Sequence, residues 1–427
     1  MKGTLIFLTI LFSLNFVFPQ DTVRIMQYNL LYYGVNTGFC NDTNNNLENK
    51  NEALCKIIDY VEPDIFSVNE ISTNVVYHNI LLDSVLNISN NGYFQRASLT
   101  NFAGSGIGNQ LYYDSRKFTL YNEYALINDL RDINFYTLYY NSPDLSWSED
   151  TAFFTCIVVH LKAGSSQPDI DKRNEQVLQI INHLESINKK GNIFFIGDLN
   201  VYNSNEPAFQ QLINAVNPDI RFYDPIHKIG NWNMNEIYAA YHTQSTHTIT
   251  DCAVGGGLDD RFDFILTTLP VLLGTELMKY ITGSYTTVGQ DGQHFIMALT
   301  DEPPNTSAPW DVIQALYDAS DHLPVYLDLK INQTPANIEA FLPLRHNINF
   351  KNPVTDNLEL FFQSKNTTGL EIRIFDITGR EVMNKSIFVN SGDNEIVLNV
   401  THLKSGIYIL SAVTNCGYRQ TFKLIKM

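Results

Sequence analysis

Basic residues are scarce in this chain, with 28 Lys and Arg against 45 Asp and Glu and a net charge of −17. The shortage is local. From Asp21 to Lys330 there are 17 basic and 37 acidic residues, a balance of −20, whereas from Ile331 onward 10 basic and 8 acidic residues give +2. Such an acidic body repels polyanions at long range, so nucleic acid would have to be met through a local patch or bound cations. This disfavours a DNA-binding module but leaves a metal enzyme open. Cysteine is also sparse: Cys40, Cys55, Cys156, Cys252 and Cys416 show no metal-ligand spacing, and their odd number argues against a disulfide framework. Export would permit a pair such as Cys40–Cys55; the remainder read as small buried hydrophobes. No internal repeat or low-complexity tract is present, and beyond the N-terminus no apolar run is long enough for a transmembrane segment.

The N-terminus carries Lys2 and then an apolar run, Leu5 to Phe18, broken only by Thr9, Ser13 and Asn15. That is shorter than the roughly 20 residues of a membrane span and fits an export signal over residues 1–20. The alternative is a buried first strand. Phe18-Pro19-Gln20 lacks the small residues of a cleavage site, so the cut is unspecified. The mature protein is expected to be secreted or held at the cell surface, and monomeric. At 427 residues with 44% hydrophobic and 17% charged residues, the chain has material for two folded domains.

Hydrophobic spacing divides it. Val23 to Leu31 reads as a strand. Ala53, Leu54, Ile57, Ile58 and Val61 mark a helix ended by Pro63, and Asp64 to Glu70 follows as a short buried strand. Ala152 to His160 is a β-rich run; Val177, Leu178, Ile181, Leu184 and Ile187 form a helical stripe; Asn192 to Ile196 is a strand ending in Gly197-Asp198-Leu199-Asn200. This alternation predicts an α/β class, two packed sheets with helices outside. Asn332 to Leu344 has linker character. Beyond it come short β runs, Leu358–Phe362, Glu371–Phe375, Glu395–Leu398 and Gly406–Leu410, which predict a small all-β sandwich. The expected boundaries are 1–20, 21–331, 332–344 and 345–427.

Chemically capable side chains stand at predicted strand ends: Glu70, His160, Asp198 with Asn200, and Ser320-Asp321-His322, together with Asp263 inside Arg261-Phe262-Asp263-Phe264-Ile265-Leu266. Singly each has a plain explanation, since Gly-Asp after a strand is common turn chemistry and a His at a strand end is often structural. Asp263 is different. Flanked by Phe262 and Phe264, it faces one side of a sheet and needs a partner if buried.

Taken in order, Tyr28-Asn29-Leu30, Asn69-Glu70-Ile71, His160-Leu161-Lys162 with Arg173 and Gln176, Gly197-Asp198-Leu199-Asn200, Arg261 to Leu266 and Ser320-Asp321-His322 resemble the endonuclease/exonuclease/phosphatase superfamily, from about Val23 to Lys330. The resemblance implies a four-layer sandwich of two mixed sheets with outer helices. It implies Mg²⁺, or Mn²⁺ or Ca²⁺, held by Glu70 and Asp321 as hard oxygen ligands, with Asn29 and Asp198 completing or flanking the site. His322 would be the general base and Asp263 the carboxylate that orients it, while His160 and Asn200 would bind phosphoryl oxygens.

The departures bear on substrate. Asn69 stands where the family has Gln, and Ser72 replaces the Arg with which deoxyribonuclease I reaches DNA. The strand around Gln110 also lacks the Glu that supports the first His of that enzyme. Residues 224–257, with His227, Trp232, Tyr238, Tyr241, His242 and His247, read either as a substrate loop or as an irregular surface insertion. The last region is similar to the C-terminal sorting domain of the type IX secretion system. The likeness rests on Asn352 to Leu358, Phe375 to Val382, Leu403 to Tyr408 and Phe422 to Lys426; the alternative is a carbohydrate- or lipid-binding sandwich. The resemblances imply a secreted phosphodiesterase, first of all a nuclease acting on DNA or RNA, passed out by the type IX machinery. Phospholipase C-like or inositol-phosphate phosphatase activity is the alternative, and an inactive binding protein the second.

Overall fold

The computed structural model describes residues 21–89, 92–142, 145, 151–331, 348–364, 368–390, 392–414 and 419–427. The expected export signal, the expected linker and Cys416 lie outside them. The described residues form two compact units, one within 1–141 and 152–333, the other within 142–151 and 334–427.

The first unit begins with β1 (Thr22–Tyr33), β2 (Ile65–Ser72), β3 (Phe94–Arg96), β4 (Ile107–Asp114), β5 (Phe118–Leu126), β6 (Ile133–Tyr140) and β7 (Phe153–His160). It continues with β8 (Asn192–Asp198), β9 (Phe222–Tyr223), β10 (Asp263–Thr268), β11 (Met278–Tyr280), β12 (Thr286–Thr287) and β13 (Val325–Ile331). One sheet has the order β11-β13-β1-β2-β4-β3 with β12 beside β13; the other runs β5-β6-β7-β8-β10-β9. Each contains a single parallel pair, β1 with β2 and β7 with β8, so both are mixed.

Their inner faces share one core, in which Ile25, Leu111 and Leu327 of the first sheet meet Tyr136, Phe154, Phe194 and Ile265 of the second. The outer face of the first sheet packs Met26, Phe66 and Val68 against Leu54 and Ile57 of the helix Leu47–Val61 and Ile313 and Leu316 of Trp310–Ala319. The outer face of the second packs Phe135, Ile157 and Phe195 against Val177, Ile180 and Leu184 of Gln167–Ser186, with Phe209 of Pro207–Ile213. This is the expected four-layer sandwich. Burial on both faces is why Cys156 to Val159 and Ile193 to Ile196 read as unbroken apolar runs rather than alternations.

Element limits differ from the sequence reading at their ends. The first helix starts at Leu47, before the apolar stripe, because the Asn46 side chain accepts the Asn49 N–H and caps it. It stops at Glu62, whose backbone turns left-handed (φ 52°) ahead of Pro63. In Gln167–Ser186 the buried stripe is Val177, Ile180, Ile181 and Leu184; Ile187 lies beyond the helix and is exposed. A disulfide joins Cys40 to Cys252, 212 residues apart, where the sequence allowed a pair such as Cys40–Cys55. Cys55 sits in the first helix and is a free thiol.

In the second unit the named strands pair antiparallel, with one isolated parallel bridge between Val354 and Lys426. Strands β14 (Asn349–Phe350), β15 (Asn357–Ser364) and β18 (Gly392–Asn399) form one sheet in the order β14-β15-β18. Strands β16 (Thr368–Asp376), β17 (Glu381–Val389), β19 (Gly406–Thr414) and β20 (Arg419–Lys426) form the other, in the order β17-β16-β19-β20. Alternation sends Leu358, Leu360 and Phe362 inward to meet Leu370, Ile372, Ile374 and Leu410. No helix among the described residues is long and apolar enough to cross a membrane.

Candidate active site

Every sequence-predicted site residue lies at one end of the two sheets. Asn29 on β1 is in register with Asn69, the residue before Glu70 on β2. On the second sheet Asp198 at the end of β8 pairs with both His160 at the end of β7 and Asp263 at the start of β10. Asp321 and His322 lie just ahead of β13, separated from it by Leu323 and Pro324. β1 bulges after Asn29, where Leu31 and Tyr32 have φ of 44° and 52°, and Glu70 and Asn200 also have positive φ, 57° and 51°. Such conformations are costly for non-glycine residues and here turn side chains and backbone N–H groups away from the regular ladder.

The centre is buried and dense. His322 Nδ1 lies 2.7 Å from Asp263 Oδ2, and Asp263 is 0% exposed, so the partner its position required is the imidazole. His322 Nε2 faces Asn29 Nδ2 at 3.4 Å and Asp198 Oδ2 at 3.8 Å. The Asn29 amide donates to Glu70 Oε1 at 3.1 Å and to Asp198 Oδ2 at 3.0 Å, while its own oxygen receives the Leu31 N–H. His160 Nε2 lies 3.8 Å from Glu70 Oε1 and 3.5 Å from Asp198 Oδ2, and donor atoms of these three residues fall within 4.8 Å of one another. Asp321 Oδ2 receives the Val254 N–H at 3.0 Å. Asn200 donates to the Leu161 carbonyl at 3.4 Å, and its own N–H reaches Asp198 Oδ1 at 3.0 Å.

The departures from the superfamily pattern have visible consequences. Asn69 is fully used: its oxygen accepts from Gln27 Nε2 and the Asp198 N–H, and its amide donates to Asn109 Oδ1 and the Val159 carbonyl. It therefore ties the two sheets together beneath the site. The acidic support that the sequence lacks near Gln110 is missed at His160, whose buried Nδ1 has no hydrogen-bond partner among the described residues. The Ser72 hydroxyl accepts the Asn74 N–H within the following turn. Arg173 and Gln176 shape the strand end behind His160: Arg173 pairs with Glu206 and donates to the Lys162 and Gly164 carbonyls, and Gln176 accepts the Lys162 N–H.

Three further residues reach the site without a sequence signal. Lys50, buried in the first helix, donates to the Leu30 and Leu31 carbonyls at 2.8 and 2.7 Å and so holds the bulged segment of β1. Arg131 donates to the His160 and Leu161 carbonyls, with Glu70 and Asp198 as charged neighbours. Gln244 Nε2 lies 2.8 Å from His322 Nε2. It comes from the 224–257 segment, which is irregular as one reading expected, apart from a short 3₁₀ helix at Glu236–Tyr241. Trp232 and His242 of that segment are wholly buried, and both His242 ring nitrogens lie near backbone carbonyls, so these two serve the core and no substrate surface.

The electrostatics show an excess of negative charge. Burial, and then Asp321, raise the Glu70 pKa. Burial pushes Asp198 up to about 7, with Asp263 and Glu70 adding to the effect. Burial lowers Lys50 to about 7 against the pull of Asp321 and Glu70. Burial, with Arg131 and His322, holds His160 well below its usual value and therefore neutral. Burial opposes a charged His322, but Asp263 outweighs it, with Asp198 and Asp321 behind, and its pKa stands well above the usual value. Carboxylates crowded like this make a strong site for a hard divalent cation.

Residues 350–427 match the family described as "Secretion system C-terminal sorting domain". The C-terminal unit is a sorting domain, and the protein is secreted or held at the cell surface. No curated protein matches the chain. The endonuclease/exonuclease/phosphatase from Beutenbergia cavernae is similar at 14% identity over 94% of this chain and 100% of its own, with a TM-score of 0.41. The endonuclease/exonuclease/phosphatase from Bacteroides vulgatus is similar at 14% identity over 73% and 99%, with a TM-score of 0.46. The human Nocturnin catalytic domain, solved with a bound sulfate anion, is similar at 14% identity over 73% and 97%, also with a TM-score of 0.46.

Proposed function

We propose that the first unit is a divalent-cation-dependent phosphoric ester hydrolase, and that its first substrate class is the phosphodiester of DNA or RNA outside the cell. The observation that carries this reading is the buried His322–Asp263 pair at 2.7 Å beside the Glu70–Asp198–His160 cluster. An imidazole oriented by a carboxylate, next to a pocket of hard donors, is what hydrolysis of a charged ester requires. Glu70, Asp198, Asp321 and Asn29 are the residues that would hold Mg²⁺ or Mn²⁺, with Ca²⁺ as another hard cation of the class. The donor set fits: Asp198 is pushed up to about 7 and Glu70 is raised, a strain that a cation relieves. When bound, the cation offsets the carboxylates, withdraws charge from the phosphoryl group and assists the departing oxygen.

The chain's own residues supply the rest. Asp263 keeps the His322 ring oriented through Nδ1, and Nε2 takes the proton of the attacking water. His160, Asn200 and Arg131 surround the pocket with donors for phosphoryl oxygens. By the same reading, residues 1–20 direct export, 21–331 act as a monomeric enzyme, 332–344 link, and 345–427 engage the type IX secretion machinery. A second reading, a lipid or small phosphoester substrate, is favoured by Ser72 in place of a DNA-reaching Arg and by the −20 balance of the body. A hydrolysis screen on DNA, RNA, sphingomyelin and inositol phosphates, each with Mg²⁺, with Mn²⁺ and with excess chelator, decides between them. Cleavage of nucleic acid that stops on chelation supports the first reading. Cleavage of lipid or inositol phosphate alone moves the assignment to the second, and full activity in chelator rejects the cation.

A further inference from the structure

The side chain nearest to His322 Nε2 is one that no motif singles out. Gln244 Nε2 stands 2.8 Å from that nitrogen and 3.3 Å from Asp321 Oδ2. Its place is set by backbone contacts. The Gln244 N–H donates to the Asp260 carbonyl at 3.1 Å, and its carbonyl receives the Asp259 and Asp260 N–H groups, each at 2.9 Å. On either side, Leu323 N–H donates to the Thr243 carbonyl at 2.7 Å and Thr246 N–H to the Asp321 carbonyl at 3.0 Å. The segment is thus fastened both to the entry of β10 and to Asp321–His322, and only the amide tip is left to do chemistry.

An amide has a donor end and an acceptor end, and hydrogen-bond partners decide which faces where. Asp321 decides it here. With the oxygen turned toward Asp321, lone pairs would meet a carboxylate; with the NH₂ turned that way, both neighbours are served. An NH₂ that also points at His322 Nε2 needs a lone pair there. The ring proton then belongs on Nδ1, where Asp263 Oδ2 accepts it at 2.7 Å. The Asn29 NH₂ lies farther from the same Nε2, at 3.4 Å, and its two protons go to Glu70 and Asp198, so Gln244 is the donor that faces the ring nitrogen.

Resting on the reading of His322 as general base, we propose that Gln244 is a positioning residue. Oriented by Asp321, its amide holds the His322 ring in the tautomer whose Nε2 lone pair faces the cleft. Asp321 thereby acts on the base as well as beside the cation, and the two halves of the Asp321–His322 pair are coupled through one side chain. Gln244 is only partly buried, so an entering water can take its place on Nε2 without opening the buried Asp263 contact.

Two near-isosteric substitutions test this in the full-length, Mg²⁺-loaded protein. Gln244→Met keeps the volume and removes the donor; Gln244→Glu keeps the shape and presents only acceptors. A packing role predicts that Glu is milder than Met. Positioning by a donated proton predicts the reverse: about 10-fold lower kcat for Met, 100-fold or more for Glu, and KM little changed in either. Nitrogen-15 NMR of the His322 ring gives a reading that needs no substrate. Burial is outweighed by Asp263 and the His322 pKa is raised, so the ring is read at a pH above its own titration, where the parent should carry the proton on Nδ1 alone and Gln244→Glu should still carry one on Nε2. Activity for Glu above that for Met, or the same ring proton in parent and Glu variant, overturns the proposal. Because the ring is read without turnover, a protein that hydrolyses none of the esters tried would reject the proposed reaction and still decide the role of Gln244.

Discussion

In the C-terminal sandwich, β15 turns Leu358, Leu360 and Phe362 into the core and Glu359 and Phe361 out to solvent, and the facing β16 does likewise with Leu370, Ile372 and Ile374. The first unit uses the same period of two, but at one end of its sheets the inward residues are Asn29, Asn69, His160, Asp198 and Asp263, all buried. The sandwich is thus held by apolar burial, at roughly 25 cal/mol per Å², with each inward residue contributing favourably. The first unit holds a group of carboxyl and amide side chains that would be more comfortable in water, with Asp198 pushed up to about 7 and Lys50 down to about 7. The contrast teaches where function sits. A sorting module needs only a stable recognisable surface, whereas the reaction proposed for the first unit calls for a strained polar pocket whose cost the surrounding core offsets.

The contrast is sharpest at His322. Replacing it with Ala should lower turnover by about 10² to 10⁴-fold with little change in KM, since a general base acts in the transition state. Asp263→Asn should lose much of the same activity, and the double variant should be little worse than His322→Ala alone. Steady-state kinetics of the three variants decides; losses that multiply would show that the two residues do not act as a unit.

Stability should divide between the units in the same way. Cys252→Ser opens the disulfide to Cys40 and should cost the first unit about 2–4 kcal/mol, leaving the sandwich transition where it was. Leu360→Ala should do the converse, lowering the sandwich by about 2–4 kcal/mol while turnover stays unchanged. Calorimetry that follows two transitions checks both, and a shift of both transitions by either change would break the division.

Asp260 gives a smaller effect with a defined sign. Burial pushes its carboxyl up to about 7, above its ordinary 3.8, so the fold prefers the neutral form. That preference stabilises fully below about pH 3.8 and is lost as pH rises through about 7. Asp260→Asn, always neutral, should therefore gain on the order of 2 kcal/mol at pH 8 and nothing near pH 4. Urea unfolding at the two pH values reads this directly, and an equal gain at both would discard the cause. The smallest effect on catalysis is expected from removing residues 348–427: turnover per molecule should be unchanged while export fails. Assay of the periplasm and medium of the source cells would show it, and a truncated protein that is exported but no longer binds substrate would mark the sandwich as a binding module.

Features that depend on local pattern were legible from the residues alone. Periodicity was sufficient for the helix over Ala53 to Val61, the strands ending at His160 and at Asp198, and the alternating runs of the sandwich. The resemblance of the ordered motifs to a known superfamily nominated Glu70, His160, Asp198, Asp263 and His322. Asp263 could be read because a carboxylate between two Phe residues has to find a partner. Other features follow no local rule and were decided only by tertiary structure. Cys40 meets Cys252 across 212 residues because two loops converge. Lys50 looks like an ordinary helix residue until β1 bulges toward it. Trp232 and His242 lie in a segment of loop composition, yet they are buried. Gln244 has no motif around it, and its chemistry arises only because the fold brings in Asp321 and His322, 77 and 78 residues further on. Such contacts depend on which strand ends and loops come together, and the spacing of apolar residues along the chain carries no record of that.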